Sequence, residues 1–341
     1  MRILVILVAL AYYLVGYGEK SQTDVEQPAQ SQQIYTRTLK LMGSRFDISV
    51  VANSEQEANM HIDTAINEIT RIEKLISSWD ANSETSIINQ NAGIKPVKIH
   101  KELFNLIARA MVISKLTDGA FDISYASMDK IWKFDGSMTE MPDKNIIEAS
   151  VRNVGYQKIV LDKEKSTVFL PQVGMKIGFG AIGKGYAADK AKKLLISKGV
   201  KAGIINASGD MNTWGKQPNG EDWKVAITNP LNKNQAFALV PITQGAVVTS
   251  GNYEKYVVFN NIRYTHIIDP RTGYPSHGII SATVFASSAE LADALATSVF
   301  VMGCEVGIER INQLPNVECI IIDDKGNIHT SEHININKYE N

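Results

Sequence analysis

Two side chains late in the chain have a spacing that suits metal binding. Asp293 and Thr297 lie four residues apart in a segment predicted to be helical, so a carboxylate and a hydroxyl project from one helix face. The neighbouring residues are apolar, and a carboxylate among apolar residues needs a partner. One interpretation is a hard cation held by oxygen ligands, and Mg²⁺ suits this because it takes few protein ligands together with substrate phosphate oxygens. The alternative is a solvated aspartate beside a threonine that bonds back to its own helix.

A glycine-rich turn at 178–183 is the second candidate, because its sequence fits G-x-G-x-x-G. A strand is predicted before it at 175–177 and a helix after it at 184–198, as in dinucleotide-binding proteins, where the helix N-terminus binds a pyrophosphate. Three interpretations stay open: nicotinamide dinucleotide binding, a turn that packs a helix closely, and phosphate binding of another kind. Lys184 favours the last, because it adds a cation at the start of the helix.

His266 begins a third candidate segment, predicted to be the end of a strand that runs into a tight turn at Pro270 and Gly273. The ordinary pKa of histidine lies near neutrality, which suits proton transfer. A lone histidine can equally be a hydrogen-bonded core residue, and the turn can be purely structural.

Hydrophobic patterns predict the elements that must position these residues. Ser54 and Glu57 form a capping box before a long amphipathic helix. Hairpins mixed with helices favour an α+β fold with mixed, largely antiparallel sheets and packed helices. The main predicted elements are a hairpin turning at 42–44, a helix at 54–76, a polar loop at 77–93, a helix at 101–116, a strand at 257–268 and a helix at 288–302.

The N-terminal residues predict an export signal that is not part of the folded domain. Arg2 precedes an unbroken apolar run at 3–15, which is typical of a secretory signal and is shorter than the ~20 residues of a membrane-spanning helix. Tyr17 stands where a lipoprotein would carry its lipidated cysteine. The predicted organisation is a signal peptide or N-terminal membrane segment at 1–18, a polar tether at 19–33 and a folded domain at 34–341.

Composition sets limits on the function. The 341 residues include 35 Lys and Arg against 36 Asp and Glu, and a formal net charge of -1 argues against nucleic acid as the main ligand. A hydrophobic content of 44% is that of a globular protein. Cys304 and Cys319 lie in apolar runs and are better explained as core residues than as a metal site, with a disulfide between them left open.

Taken together, these segments resemble the FAD:protein FMN transferase family, also called the ApbE family. The resemblance covers about 36–327, and its motifs occur in the order of the family. They are Met42-Gly43-Ser44, Ser77-Ser78-Trp79 with Asn82-Ser83-Glu84, Gly119-Ala120-Phe121-Asp122, residues 180–189, Asn206 with Ser208-Gly209-Asp210, Thr249-Ser250-Gly251, residues 266–273 and residues 292–297.

The resemblance implies an ApbE-like flavin transferase fold and an exported enzyme on the periplasmic side of the bacterial inner membrane. Such an enzyme uses Mg²⁺ and FAD as its substrate, attaches FMN through a phosphoester bond to a Ser or Thr of an acceptor protein, and releases AMP. Two alternatives are a Mg²⁺-dependent FAD pyrophosphatase that yields FMN and AMP, and a non-catalytic exported flavin-binding protein.

The resemblance also implies roles for single residues. His266 would handle protons, and Asp293 would be both catalytic and a metal ligand. The chain departs from the family pattern at Gly178, where an aspartate is usual, and at 125–128, where a glycine-proline segment is usual. The other implied metal ligands are Thr297 and the carbonyl groups of Ala181 and Ala296, and the implied nucleotide-binding residues are Met42, Trp79, Ala120, Phe121, Asp122, Gly178, Lys184 and Ile268.

Overall fold

The computed structural model describes residues 32–228, 236–242, 244–251 and 256–334. The predicted signal peptide and nearly all of the predicted tether lie outside these residues, so export stays a prediction. Among the helices in these ranges, none combines the length and the apolar composition that crossing a bilayer requires.

An eight-stranded antiparallel sheet lies at the centre of the described fold, and helices pack against it. The predicted α+β class with largely antiparallel sheets is confirmed. The strands are β1 (Gln33–Leu41), β2 (Ser44–Ala52), β3 (Val97–Lys98), β4 (Val160–Asp162), β5 (Thr167–Phe169), β6 (Gly203–Ala207), β7 (Asp210–Trp214), β8 (Trp223–Thr228), β9 (Ala236–Ile242), β10 (Gly245–Gly251), β11 (Tyr256–Phe259), β12 (Ile262–Thr265), β13 (Ile279–Ala286), β14 (Glu318–Asp323) and β15 (Ile328–Thr330).

The central sheet has the strand order β1-β2-β6-β7-β10-β13-β14-β15. Strands β3, β5 and β4 form a small second sheet, and β8–β9 and β11–β12 form two-stranded ribbons. The α-helices of the described ranges are α1 (Glu55–Ile76), α2 (Glu84–Gln90), α3 (Lys101–Leu116), α4 (Lys144–Ser150), α5 (Gly183–Ser197), α6 (Ala289–Met302) and α7 (Cys304–Asn312).

Helix α1 begins where the capping box predicts. The Ser54 side chain accepts a hydrogen bond from the Glu57 N–H, and the Glu57 carboxylate reaches back to the Asn53 N–H at 2.9 Å. The apolar stripe of α1 packs into the same core as Phe46 and Ile48 of β2, which are fully buried. The predicted hairpin at 42–44 and the helix at 101–116 are also confirmed.

Three predicted segments are wrong. The polar loop predicted at 77–93 contains α2, because Ser83 caps a short helix and Ile88 is buried beneath it. The strand predicted at 257–268 is the hairpin β11–β12, whose turn at Asn260 and Asn261 has positive φ at both residues. Asparagine tolerates that left-handed conformation, which two-residue hairpin turns require.

The strand predicted at 175–177 is also wrong, since this segment is irregular. The amide of Asn89 takes the place of a neighbouring strand. Its Nδ2 donates to the Ile177 carbonyl at 3.0 Å, and its Oδ1 accepts from the Ile177 N–H at 2.8 Å. The glycine turn at 178–183 therefore lacks the leading strand of a dinucleotide-binding motif, which removes the support for the nicotinamide interpretation.

Candidate active site

A cavity of about 450 Å³ brings most of the predicted site residues together. Its walls come from the segment after α3, the start of α5, the start of β7, the end of β10, the turn after β12 and one face of α6. The predicted site residues that line it are Ala120, Phe121, Asp122, Ala181, Lys184, His266, Ile268, Asp293 and Thr297.

Close packing of two helices sets one wall of the cavity. A side chain on Gly185 of α5 would overlap the Ala289 carbonyl of α6, so only glycine lets the two helices approach this closely. This approach places the Gly185 N–H 3.1 Å from Oδ2 of Asp293, to which it donates. The positive end of α5 thus faces the Asp293 carboxylate, as expected for an anion at a helix N-terminus.

A buried charge cluster lies at this wall. Asp293 and Asp210 are only 4% and 2% exposed, and the Lys184 ammonium donates to the Asp210 carboxylate. Burial raises the pKa of both aspartates, and the Lys184 charge opposes that shift. For Lys184, burial alone would lower the pKa, but the two carboxylates outweigh it and raise the pKa overall.

The cluster therefore suits an added cation. Two carboxylates share one lysine, and when both are ionised they leave a net negative charge in a buried place. Within the described ranges, no three His, Cys, Asp or Glu side chains gather as a metal cage. A site built from Asp293, the Thr297 hydroxyl and backbone oxygen offers only a few hard oxygen ligands, which is the donor set that Mg²⁺ accepts alongside phosphate.

Asp122 supports the segment after α3 rather than offering a free carboxylate. It accepts hydrogen bonds from the Ser124 N–H at 2.7 Å, the Ser124 hydroxyl at 2.6 Å and the Tyr156 N–H at 2.7 Å. Burial raises the pKa of Asp122, and these donors oppose the shift. The side chain fixes the path of the segment that carries Ala120 and Phe121 into the cavity.

Hydroxyl groups and a histidine complete the cavity on its more open side. Ser250 at the end of β10 has its hydroxyl 3.5 Å from the Thr297 hydroxyl. His266 is exposed and lines the cavity just after β12. A substrate in the cavity would therefore meet an imidazole at its solvent side and carboxylates at its buried side.

Four predicted site residues do not line this cavity, and their roles stay predictions. Trp79 lies on the loop before α2 and is 86% exposed, with the Lys130 ammonium 5.2 Å from its ring centroid. The Met42 N–H donates to Glu73 at 3.1 Å. The other two are Gly178, whose N–H donates to the Ile123 carbonyl at 2.8 Å, and Ala296, which is fully buried.

Several cavity residues were not predicted as site residues, and Asp210 and Tyr125 are among them. The feature that could have identified Asp210 as a site residue is the turn at Ser208 and Gly209, which joins β6 to β7. Both turn residues have positive φ. An acidic residue directly after such a turn lies where the strands of the sheet end, and ligands often bind there. Tyr125 belongs to the segment that departs from the family pattern.

Comparison with known proteins decides the family. The profile of the ApbE family matches residues 42–321. The chain belongs to the ApbE family. A relative from Klebsiella pneumoniae (strain 342), named FAD:protein FMN transferase, is 31% identical over 292 residues, which cover 85% of this chain and 89% of the relative. A relative of the same name from Treponema pallidum (strain Nichols) is 28% identical over 304 residues, 84% of each chain.

Solved ApbE structures share the fold. The ApbE protein from Thermotoga maritima superposes with a TM-score of 0.79 at 31% identity, covering 88% of this chain and 97% of its own. The flavin transferase ApbE from Vibrio cholerae gives a TM-score of 0.75 at 25% identity, covering 88% and 98%. The ApbE-like fold expected from the sequence is confirmed.

Proposed function

We propose that this ApbE-family chain is a Mg²⁺-dependent flavin transferase that cleaves FAD, attaches FMN to a Ser or Thr of an acceptor protein through a phosphoester bond, and releases AMP. Relatives that cover most of its length are named FAD:protein FMN transferase. The observation that carries the proposal is that Asp293, Thr297 and Lys184 line one cavity, although they come from two different helices.

In this proposal, the oxygen ligands for Mg²⁺ are the Asp293 carboxylate, the Thr297 hydroxyl and the Ala181 carbonyl, all from residues that line the cavity. When bound, the ion neutralises negative charge on the phosphoryl group during transfer. Lys184 adds a fixed positive charge beside the same place. The Gly185 N–H keeps Asp293 oriented, because it donates to one of the two carboxylate oxygens.

The transfer step exchanges one phosphorus–oxygen bond for another. The acceptor hydroxyl oxygen forms a bond to the phosphorus of the FMN half, and the bond from that phosphorus to the bridging oxygen breaks, so AMP leaves with the bridging oxygen. The proton of the attacking hydroxyl passes to His266. His266 suits this role because it lines the cavity and is exposed, where an acceptor protein can reach it.

A matched set of variants tests the proposal. Asp293→Asn and Thr297→Val remove proposed metal ligands and should each lower Mg²⁺-dependent FMN transfer by about a hundredfold or more, because each weakens charge neutralisation in the transition state. Ser298→Ala is the control: this neighbouring hydroxyl bonds to the Ala294 carbonyl of its own helix at 2.7 Å and should be dispensable for transfer. The assay is mass spectrometry of a co-expressed acceptor protein, which detects FMN on Ser or Thr.

Release of AMP distinguishes transfer from hydrolysis. The wild-type protein should release AMP from FAD much faster when the acceptor protein is present. Equal rates with and without acceptor would identify a pyrophosphatase, and FAD recovered intact after long incubation with Mg²⁺ and acceptor would identify a non-catalytic flavin-binding protein. Full transfer activity of Asp293→Asn would refute the assigned metal site.

A further inference from the structure

Tyr125 lines the cavity beside the glycine turn. Its residue as a whole is 39% exposed, but its hydroxyl lies against the backbone of Gly180 in the glycine turn. A methyl group on Gly180 would overlap the hydroxyl oxygen, while the nearest ring carbon would be 3.6 Å away. Glycine at 180 is thus what allows the phenol to reach this depth.

The Tyr125 hydroxyl is a hydrogen-bond donor in the wall of the cavity. The phenol oxygen lies beside Gly180, and a tyrosine hydroxyl can donate one hydrogen bond as well as accept. Burial raises the pKa of Tyr125, and the negative charge of Asp293 adds to that effect. The phenol therefore keeps its proton at neutral pH.

The two departures from the family pattern meet in space. A Cβ atom on Gly178 would lie 3.1 Å from Cβ of Ala126 and 3.6 Å from the Tyr125 hydroxyl. The room that a side chain at 178 would need is therefore occupied by the segment at 125–126. The polar side-chain group beside residue 178 is the hydroxyl of Tyr125.

We propose that Tyr125 is a positioning residue whose hydroxyl donates a hydrogen bond to the diphosphate of bound FAD. This inference rests on the proposed function, because it takes FAD as the ligand of the cavity. The hydroxyl lies beside Gly180, in the same wall as Lys184 and Asp293, where the proposed function places the diphosphate. Tyr125 holds the substrate and does not react, so its loss should weaken binding rather than slow the chemical step.

The test compares ligands with and without a diphosphate. Binding of ADP and of riboflavin, with Mg²⁺ present, is measured by titration calorimetry for the wild type, Tyr125→Phe and the control Tyr256→Phe. Tyr256 is similarly exposed, at 38%, but lies on the β11–β12 ribbon and is not part of the cavity wall. Tyr125→Phe should weaken ADP binding about tenfold, the cost of one hydrogen bond to a charged group, and leave riboflavin binding unchanged.

Steady-state kinetics give the matching result: Tyr125→Phe should raise KM for FAD about tenfold at nearly constant kcat. Unchanged ADP binding would overturn the proposal. Equal weakening of ADP and riboflavin would also overturn it, because it would show that the phenol only shapes the wall. A wild-type protein that binds no FAD would instead overturn the proposed function, and this inference with it.

A double-mutant cycle tests the geometry separately. Gly180→Ala should destabilise the wild type, because the new methyl group overlaps the Tyr125 hydroxyl, and should be nearly neutral in the Tyr125→Phe background, where that oxygen is absent. Urea unfolding measures both effects. Equal costs of Gly180→Ala in the two backgrounds would contradict the position assigned to the hydroxyl.

Discussion

Two parts of the candidate site differ in burial and in hydrogen bonding. The inner wall, made of Lys184, Gly185, Asp210 and Asp293, is largely buried, and every one of these residues hydrogen-bonds another of them. The outer rim consists of two exposed residues: His266, which lines the cavity, and Trp79, which does not line it. An inner wall fixed by packing can hold a cation and a diphosphate in one geometry, whereas an exposed rim leaves room for an acceptor protein. Substitutions in the wall should therefore affect folding and chemistry together, whereas those at the rim should leave folding almost unchanged.

The largest effect should come from Gly185→Ala. The new methyl group would overlap the backbone of Ala289 and Glu290, and neither helix backbone can move without shifting Asp293. We expect a loss of about 3 kcal/mol or more in the free energy of unfolding, measured with urea, together with a loss of FMN transfer.

Gly307→Ala is the matched control for this prediction. It also adds a methyl group to a helix, α7, but there the nearest atom is a side-chain methyl of Val299 at 3.0 Å. The neighbour can shift, and alanine has the higher helix propensity, so the net change should be small. Equal losses of stability in Gly185→Ala and Gly307→Ala would show that the close approach of the α5 and α6 backbones does not stabilise the inner wall.

The next largest effect should come from Asp189→Asn. Asp189 on α5 accepts from the Ala289 N–H at 3.0 Å and the Glu290 N–H at 2.9 Å, so it satisfies the first turn of α6, the helix that carries Asp293. An asparagine can replace only one of these acceptors, because its amide nitrogen would face the second N–H. The free energy of unfolding should fall by about 1–3 kcal/mol.

Asp143→Asn provides the comparison for this effect. Asp143 is exposed and caps α4 through a single hydrogen bond from the Asn145 N–H at 2.8 Å. Asparagine caps helices as well as aspartate does, so the stability should hardly change. If Asp143→Asn lowers the free energy of unfolding as much as Asp189→Asn does, the two hydrogen bonds from α6 to Asp189 stabilise the protein no more than one exposed helix cap.

Local sequence signals predicted helices α1 and α6. The Ser54 capping box and the isoleucine spacing set α1, and the i, i+4 spacing of Asp293 and Thr297 on α6 pointed to an oxygen site. Helix α2 was missed because its signal is short: one capping serine and a single buried isoleucine. The irregular segment at 175–177 was misread as a strand, because its hydrogen bonds go to Asn89, almost ninety residues away in the chain.

The inner wall could only be partly predicted, because long-range pairing completes it. Asp210 reaches Lys184 through the β6–β7 turn and the pairing of β7 with β10. The turn has a local signal at Ser208 and Gly209, but the pairing of β7 with β10 has none. Tyr125 reaches Gly180 from a segment more than fifty residues earlier. The family resemblance identified site residues that lie in recognisable motifs. It could not identify Tyr125, because this chain departs from the family pattern at 125–128.

The smallest effect should come from the rim, through Trp79→Ala. The ring is 86% exposed and its described partner is the Lys130 ammonium, so its loss should change the free energy of unfolding by less than about 0.5 kcal/mol. If the ring covers bound flavin, as the family resemblance implies, KM for FAD should rise severalfold while kcat stays constant, and Trp79→Phe should restore most of the binding. A fall in kcat equal to that of the inner-wall variants would show that Trp79 takes part in the chemical step, and the role of flavin binding alone would fail for this residue.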